Sequence, residues 1–185
     1  MLPMPRLILA ALLLSLSLPA LAADYVQTPG STLVFAGKYQ GDVFSGRFPG
    51  FSTRLSFDPA QLAGAKLDVT IPLAGTTTGN HDYDDNLRGA DFLDAAKFPQ
   101  ARYTATRFRH LGGNQYAADG TLSLHGASKP VTLTFTWTPG PRPVLAGKAT
   151  VKRLDFGVGG GDWSDTGLIP DAIAVSTKVV LQPAQ

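Results

Sequence analysis

Val131-Thr132-Leu133-Thr134-Phe135-Thr136-Trp137-Thr138 alternates four apolar side chains with four threonines. A repeat of two places all four apolar groups on one face of an extended strand and the threonines on the other. The same pattern recurs along the chain. Leu67, Val69, Ile71 and Leu73 alternate with Lys66, Asp68 and Thr70; Leu122 and Leu124 alternate with Thr121 and Ser123; Ile173, Val175, Val179 and Leu181 share one parity near the end. Phe51, Leu55 and Phe57 share a parity against Arg54 and Ser56. The pattern predicts about eight strands, over 31–39, 42–57, 65–73, 101–108, 115–125, 129–138, 145–154 and 173–182. One apolar face in every strand is the mark of an antiparallel sheet covering a core.

Short turn clusters, Gly112-Gly113-Asn114 and Gly126-Ala127-Ser128, join neighbouring strands as hairpins. Asp58-Pro59 followed by Gly64 reads as one helical turn, capped by Asp58. Pro139-Gly140-Pro141-Arg142-Pro143 is a stiff connector. Residues 80–97 break the alternation: Tyr83 and Leu87 have helical spacing, and Asp91 is placed to cap a second short helix carrying Phe92 and Leu93. The expected fold is therefore all-β, a lipocalin-like closed antiparallel barrel of about eight strands with a short helical insertion. Closure removes the exposed sheet edges. A β-sandwich is the alternative arrangement of the same strands.

The first 22 residues carry one charge, Arg6, then an apolar run from Leu7 to Leu18 and the small-x-small sequence Ala20-Leu21-Ala22. That is the form of a cleavable secretory leader, with the mature domain expected over 23–185. The apolar run is about 12 residues, short of the ~20 that span a bilayer. The expected product is an exported protein that does not span the membrane. The chain has no cysteine, which excludes disulfides, thiol catalysis and Cys-ligated metal. A formal charge of +2 with no Lys/Arg cluster argues against nucleic acid as a partner.

Candidate chemistry is sparse. His81, Asp82, Asp84 and Asp85 form the densest polar cluster. It reads either as a metal site, the basis of an alternative function as a metal-assisted enzyme, or as the acidic first turn of a helix. Gly157, Gly159, Gly160 and Gly161 are followed by Pro170 and a strand, which is the wrong context for a phosphate loop. They suit a long rim loop that turns back on itself. Trp163 in that loop either covers the mouth or packs outside. His125 reads as a turn residue and His110 as a solvated strand end. No serine lies in a G-x-S-x-G elbow. No metal, cofactor or catalytic set is assigned.

Several segments resemble the YceI-like family. They are Asp58-Pro59 closing a strand, Asp85-Asn86-Leu87-Arg88-Gly89-Ala90-Asp91-Phe92-Leu93-Asp94 running to Lys97-Phe98-Pro99, Gly120 to Gly126 leading to Lys129-Pro130-Val131-Thr132-Leu133, and Arg153-Leu154-Asp155-Phe156-Gly157-Val158-Gly159. The resemblance implies a lipocalin-like barrel exported in Gram-negative bacteria that binds a polyisoprenoid amphiphile such as ubiquinone or a prenyl compound. Asp162-Trp163-Ser164-Asp165-Thr166 is most similar to members associated with cytochrome b561, which implies a membrane cytochrome as a partner. The chain departs from the family pattern at Leu93, where a second Phe is common, and at Tyr39, where a His is expected. With such a ligand, the barrel lining and mouth are expected to comprise Phe35, Phe48, Phe57, Val69, Ile71, Leu87, Phe92, Phe135, Ala149, Val151, Trp163 and Val175. Gly37, Ala149 and Thr177 are the small positions that leave room for a tail. Strands of ~8 residues tilted by ~40° make a barrel roughly 20 Å tall, room for about four isoprene units laid straight.

Overall fold

The computed structural model describes residues 22–185, so the expected leader, apart from Ala22, lies outside the described residues. Ten strands follow in order: β1 (Ala23–Gln27), β2 (Thr32–Tyr39), β3 (Asp42–Arg47), β4 (Ser52–Phe57), β5 (Lys66–Pro72), β6 (Gln100–Gly112), β7 (Gln115–Leu124), β8 (Ala127–Thr138), β9 (Val144–Lys152) and β10 (Ala172–Pro183). One helix, α1 (His81–Arg88), lies between β5 and β6. The strands pair antiparallel in the order β1-β4-β5-β6-β7-β8-β9-β10-β2-β3, and a β1–β10 pairing closes the ring.

Ten strands make an eight-stave barrel because two staves are broken. β1 and β2 lie one after the other along the same edge of β10, which pairs with β2 over Ala174–Lys178 and with β1 over Leu181–Pro183. The stave expected as a single strand over 42–57 is likewise two. β3 pairs with β2, β4 pairs with β1 and β5, and Phe48-Pro49-Gly50-Phe51 separates them. The break shifts the inward parity, from Phe44 on β3 to Thr53, Leu55 and Phe57 on β4. A proline and a glycine in positive-φ geometry (Gly50, φ 75°) end the first ladder and restart the second.

Other expectations change in detail. β1 had no place among the expected strands, and β6 runs on past residue 108 to Gly112. Register shifts between Ala105 and Arg107 and between His110 and Gly112 carry β6 around the barrel's curve. Residues 89–98 form turns rather than a second helix; Asp94 takes φ 45°, which stops any helical run there. The turn after Asp58 becomes helical only at Leu62–Gly64, with Gln61 rather than Asp58 at its start. Asp58 instead accepts a hydrogen bond from the Ala60 amide at 2.8 Å. Between β7 and β8, His125 (φ 51°) and Gly126 (φ 78°) make a two-residue turn of the kind that matches strand twist, so His125 is a turn residue.

The two ends of the barrel are filled differently. At the β1–β4 end, Phe57 is the hub of an aromatic plug. Its ring lies 4.9 Å from Trp137, 5.2 Å from Tyr116, 5.7 Å from Phe135 and 5.9 Å from Phe108. Tyr25 closes the group from β1, 5.5 Å from Trp137. Edge-to-face contacts of this kind add about 0.5–1.5 kcal/mol each to the area they bury. At the other end β3 has no full partner beyond β2; it meets the 74–80 segment through a single bridge, Arg47 with Thr77. That end opens.

Phe135 and Thr134 are neighbours of opposite orientation, so they separate the plug from the surface. Phe135→Asp is expected to abolish folding or lower the melting temperature by tens of degrees, because it places an unpaired charge among aromatic rings. Thr134→Asp is expected to shift it by only a few degrees. Thermal unfolding followed by circular dichroism checks both.

Candidate functional site

Above the plug, the inward side chains do not meet. They surround a cavity of about 210 Å³ within which the centre of a water molecule can move, many times the ~15 Å³ that one water needs. Of the residues around it, only Thr53, Tyr103, Arg153, Ser176 and Thr177 carry polar side chains. The Tyr103 hydroxyl is turned into the wall, within 2.8 Å of the Ala118 carbonyl and 2.9 Å of the Val131 carbonyl. Burial pushes its pKa up to about 12. Thr177 donates its hydroxyl proton to the Thr32 carbonyl at 2.8 Å. The space is therefore bounded by hydrocarbon, with no carboxylate in its lining.

Nine of the twelve residues expected at the lining surround this cavity: Phe35, Phe48, Val69, Ile71, Leu87, Phe92, Ala149, Val151 and Val175. Trp163 stands at the mouth. Phe57 and Phe135 do not reach the cavity; they are packed in the plug, 1% and 3% exposed. Their parity is inward as expected, but parity says nothing of depth along the strand, and both lie at the narrow end. Of the three small positions, Ala149 and Thr177 face the cavity. The space at Gly37 is taken instead by Phe44, whose Cζ would lie 2.7 Å from a Cβ placed there. Phe44, Phe51, Leu133 and Ile169 complete much of the lining and were not expected at it. The parity that Phe44 shares with Phe48 was a signal for the first; Ile169 belongs to an irregular loop and gave none.

The cavity opens through a vestibule of about 160 Å³ between the β2–β3 hairpin, α1 and the 157–171 loop. Tyr39, Thr78, Tyr83, Asn86 and Trp163 supply its polar edges, and Phe44, Leu87, Phe92 and Ile169 are shared with the cavity below. Trp163 is half-buried and packs on Phe92 at 5.5 Å, so it covers the mouth rather than the outer wall.

Two polar constructions hold the rim. The first is Arg153, 3% exposed at the end of β9. Its guanidinium donates from Nε to the Pro170 carbonyl (3.3 Å), from Nη1 to those of Val158 (3.1 Å) and Gly159, and from Nη2 to those of Trp163 (2.9 Å) and Ile169 (2.7 Å). Five N–H groups thus meet five backbone carbonyls of one loop, which a planar, forked cation does and a lysine does not. Burial lowers its pKa, and nearby Asp171 opposes that shift. Gly159 (φ 61°) has to be glycine here, since a Cβ would lie 2.7 Å from Arg153 Nη1. The second is Asp84. Its buried carboxylate accepts from the Thr77 hydroxyl (2.6 Å), the Thr78 amide (2.6 Å) and the Thr78 hydroxyl (2.7 Å). These bonds, Thr77's first, hold its pKa near 2. Asn80 caps α1 by accepting from the Asp82 and Tyr83 amides at 3.0 and 3.4 Å.

The His81, Asp82, Asp84 and Asp85 cluster is not brought together. His81 and Asp85 pair at 3.2 Å on the solvent side, Arg88 joins Asp85 at 3.1 Å, and Asp84 turns the other way into the loop. This is the helical first-turn reading of those residues. Among the described residues, no three His, Cys, Asp or Glu side chains converge to hold a metal ion. His110 lies 2.8 Å from the Gly113 carbonyl and His125 3.0 Å from that of Phe156. Among the described residues, no helix is long and apolar enough to cross a membrane.

Residues 25–181 match the model of the YceI-like domain. The chain belongs to the YceI-like family. It is 38% identical over 170 residues to a UPF0312 protein of Shewanella denitrificans, covering 84% of this chain and 88% of the relative. It is 30% identical over 159 residues to a UPF0312 protein of Vibrio cholerae, covering 80% and 84%. The crystal structure of Burkholderia cenocepacia BcnA superposes with a TM-score of 0.78 at 31% identity, over 81% of this chain and 95% of that one. A polyisoprenoid binding domain from Saccharophagus degradans, implicated in plant cell wall breakdown, superposes with a TM-score of 0.67 over 89% of this chain and 100% of that one. At 17% identity it shares the fold.

Arg153 offers a direct check on how the rim is held. Arg153→Met keeps most of the stem but strands the loop carbonyls, and is expected to cost about 3 kcal/mol or more. Arg153→Lys, with three donors, is expected to recover only part of it. Hydrogen exchange over 158–169 should speed up in both variants while β6–β8 stay protected.

Proposed function

We propose that this protein is a periplasmic carrier that shelters the tail of a long-chain polyisoprenoid amphiphile, a quinone or other prenyl lipid, inside the barrel. One observation carries the reading: the cavity is lined almost wholly by apolar side chains, with the Thr53 hydroxyl the one buried polar group in it left without a partner, and it opens into a vestibule edged by polar side chains. An amphiphile with one long hydrocarbon tail and a compact head has that shape. The polyisoprenoid-binding neighbour with the same fold supports the choice of tail, and the leader-like first 22 residues support export. Association with a b561-type cytochrome rests on the resemblance at Asp162–Thr166 alone. The metal-assisted enzyme reading loses its footing, because its four residues face different ways.

The energetics suit a carrier. Burial contributes about 25 cal/mol per Å² of apolar surface and is nearly independent of salt. A ligand of ~40 heavy atoms at about 0.3 kcal/mol each reaches ~12 kcal/mol, near nanomolar. The plug shortens the usable depth below the height of the barrel. A tail fills from the mouth down to Phe57 and its neighbours, and any longer chain bends back or protrudes past Trp163.

Prenyl quinones of increasing tail length, titrated at low and high salt, test this. Affinity is expected to rise about tenfold or more per isoprene unit until the cavity is full, then level off, with little change at high salt. Ala149→Phe, which narrows the cavity from β9, is expected to shorten the longest tail that still gains affinity. Affinity that ignores tail length, or collapses at high salt, overturns the tail-burial reading.

A further inference from the structure

We propose that the outer face of β9, β10, β2 and β3 is a docking surface for a bilayer leaflet rich in anionic phospholipid. Five cations project from it: Lys148 and Lys152 on β9, Lys178 on β10, Lys38 on β2 and Arg47 on β3. All five are exposed. The strand register sets them in a field of small neutral groups. Lys148 is flanked by Thr134 and Ser176, Lys178 by Ala146 and Thr32, and Arg47 by Val34. Among the described residues, Asp42 at the start of β3 is the one carboxylate on these four strands, and none of the five cations takes part in an ion pair.

The opposite wall differs. There Asp68 is held by Arg102, and Asp119 by Arg109 at 2.7 Å with Arg107 at 3.9 Å, so two carboxylates offset part of the charge of Arg54, Lys66, Arg102, Arg107 and Arg109. The first face therefore keeps all five of its charges free of ion pairs, whereas three of the five cations on the second are tied to carboxylates. Across the mouth, α1 exposes Asp82 and Asp85. An anionic surface attracts the first face and repels α1, which fixes how the barrel lies.

The geometry joins this face to the cavity. Lys148 and Arg47 are three strand spacings apart, roughly 14 Å, and Lys148 and Lys152 roughly 13 Å along β9, so the cations span several head groups. At the mouth end of the same face, Val43 is 72% exposed, an apolar group that a bilayer interface would take up. The next residue, Phe44, faces inward and lines both vestibule and cavity. Docking by this face sets the β2–β3 edge of the mouth against the leaflet, where a tail has the shortest path from lipid to cavity. An acidic protein partner satisfies the charges but leaves the exposed valine and the placement of the mouth without a role.

Co-sedimentation of the purified protein with vesicles tests the proposal independently of tail binding. Vesicles of phosphatidylcholine alone are compared with an equal mixture of phosphatidylcholine and phosphatidylglycerol. The protein is expected to pellet with the mixture, not with phosphatidylcholine, and to be released by high salt. Each cation at an anionic leaflet multiplies partitioning about fivefold, so K148Q/K152Q/K178Q should bind about a hundredfold more weakly. R54Q/K66Q/R107Q, which removes as much charge from the other wall, should fall only a few-fold. Quinone titration of K148Q/K152Q/K178Q should match the wild type, since none of the three lines the cavity. Equal pelleting with both vesicles, no pelleting with either, or equal loss in the two triple variants overturns the docking surface, and each of those results leaves the tail-binding reading standing or falling on its own titration.

Discussion

The last strand holds this molecule shut. β10 pairs with β9 along one edge, and its other edge is shared between β2 above and β1 below. The hand-over falls at Val180. Its carbonyl accepts from the Thr28 amide (2.8 Å) and hydroxyl (3.0 Å), and its amide donates to the Ser31 hydroxyl (3.0 Å). Four residues, Thr28 to Ser31, therefore leave the ladder without leaving polar groups unpaired. Below them, β1 can close against β4 over an aromatic plug. Above them, β2 departs with β3 and the barrel opens. Cavity, mouth and plug all follow from that one divided edge.

What the sequence shows of this is uneven, for physical reasons. Period-two alternation reports which face of a strand is buried, and it did so for β5, β8 and β10. It is silent on depth, which is why Phe57 and Phe135 were expected beside a ligand and instead pack as plug. It is also blind to breaks unless parity is followed. Phe44 and Phe48 are even, Phe51 to Phe57 odd, and the change marks the divided stave at Pro49-Gly50. β1, five residues of mixed polarity, has too little pattern to stand out. Its strand character comes from pairing with β4 and β10, a tertiary effect.

The rim was the least legible part. Arg153 lies in a segment quoted for its resemblance, yet nothing local marks a charged residue as buried; its five acceptors lie at five positions between 158 and 170. Such a residue is stable only because every donor is met, and its work is to hold the loop that brings Val158, Trp163 and Ile169 over the opening. Asp84 does the same for the other lip, by tying Thr77 and Thr78 ahead of α1. Charged groups thus shape the mouth while the cavity itself stays hydrocarbon. That separation is what a container for an amphiphile requires, and it leaves the outer wall free to carry charge for another purpose.

The most direct measurement is of what the protein already holds. Gentle purification without detergent, followed by organic extraction and mass spectrometry, is expected to yield a prenyl lipid at close to one per chain, and little of it from a variant whose cavity is narrowed. An extract with no lipid above the level of a plugged variant, or a stoichiometric polar ligand in its place, would contradict a barrel built to shelter a polyisoprenoid tail.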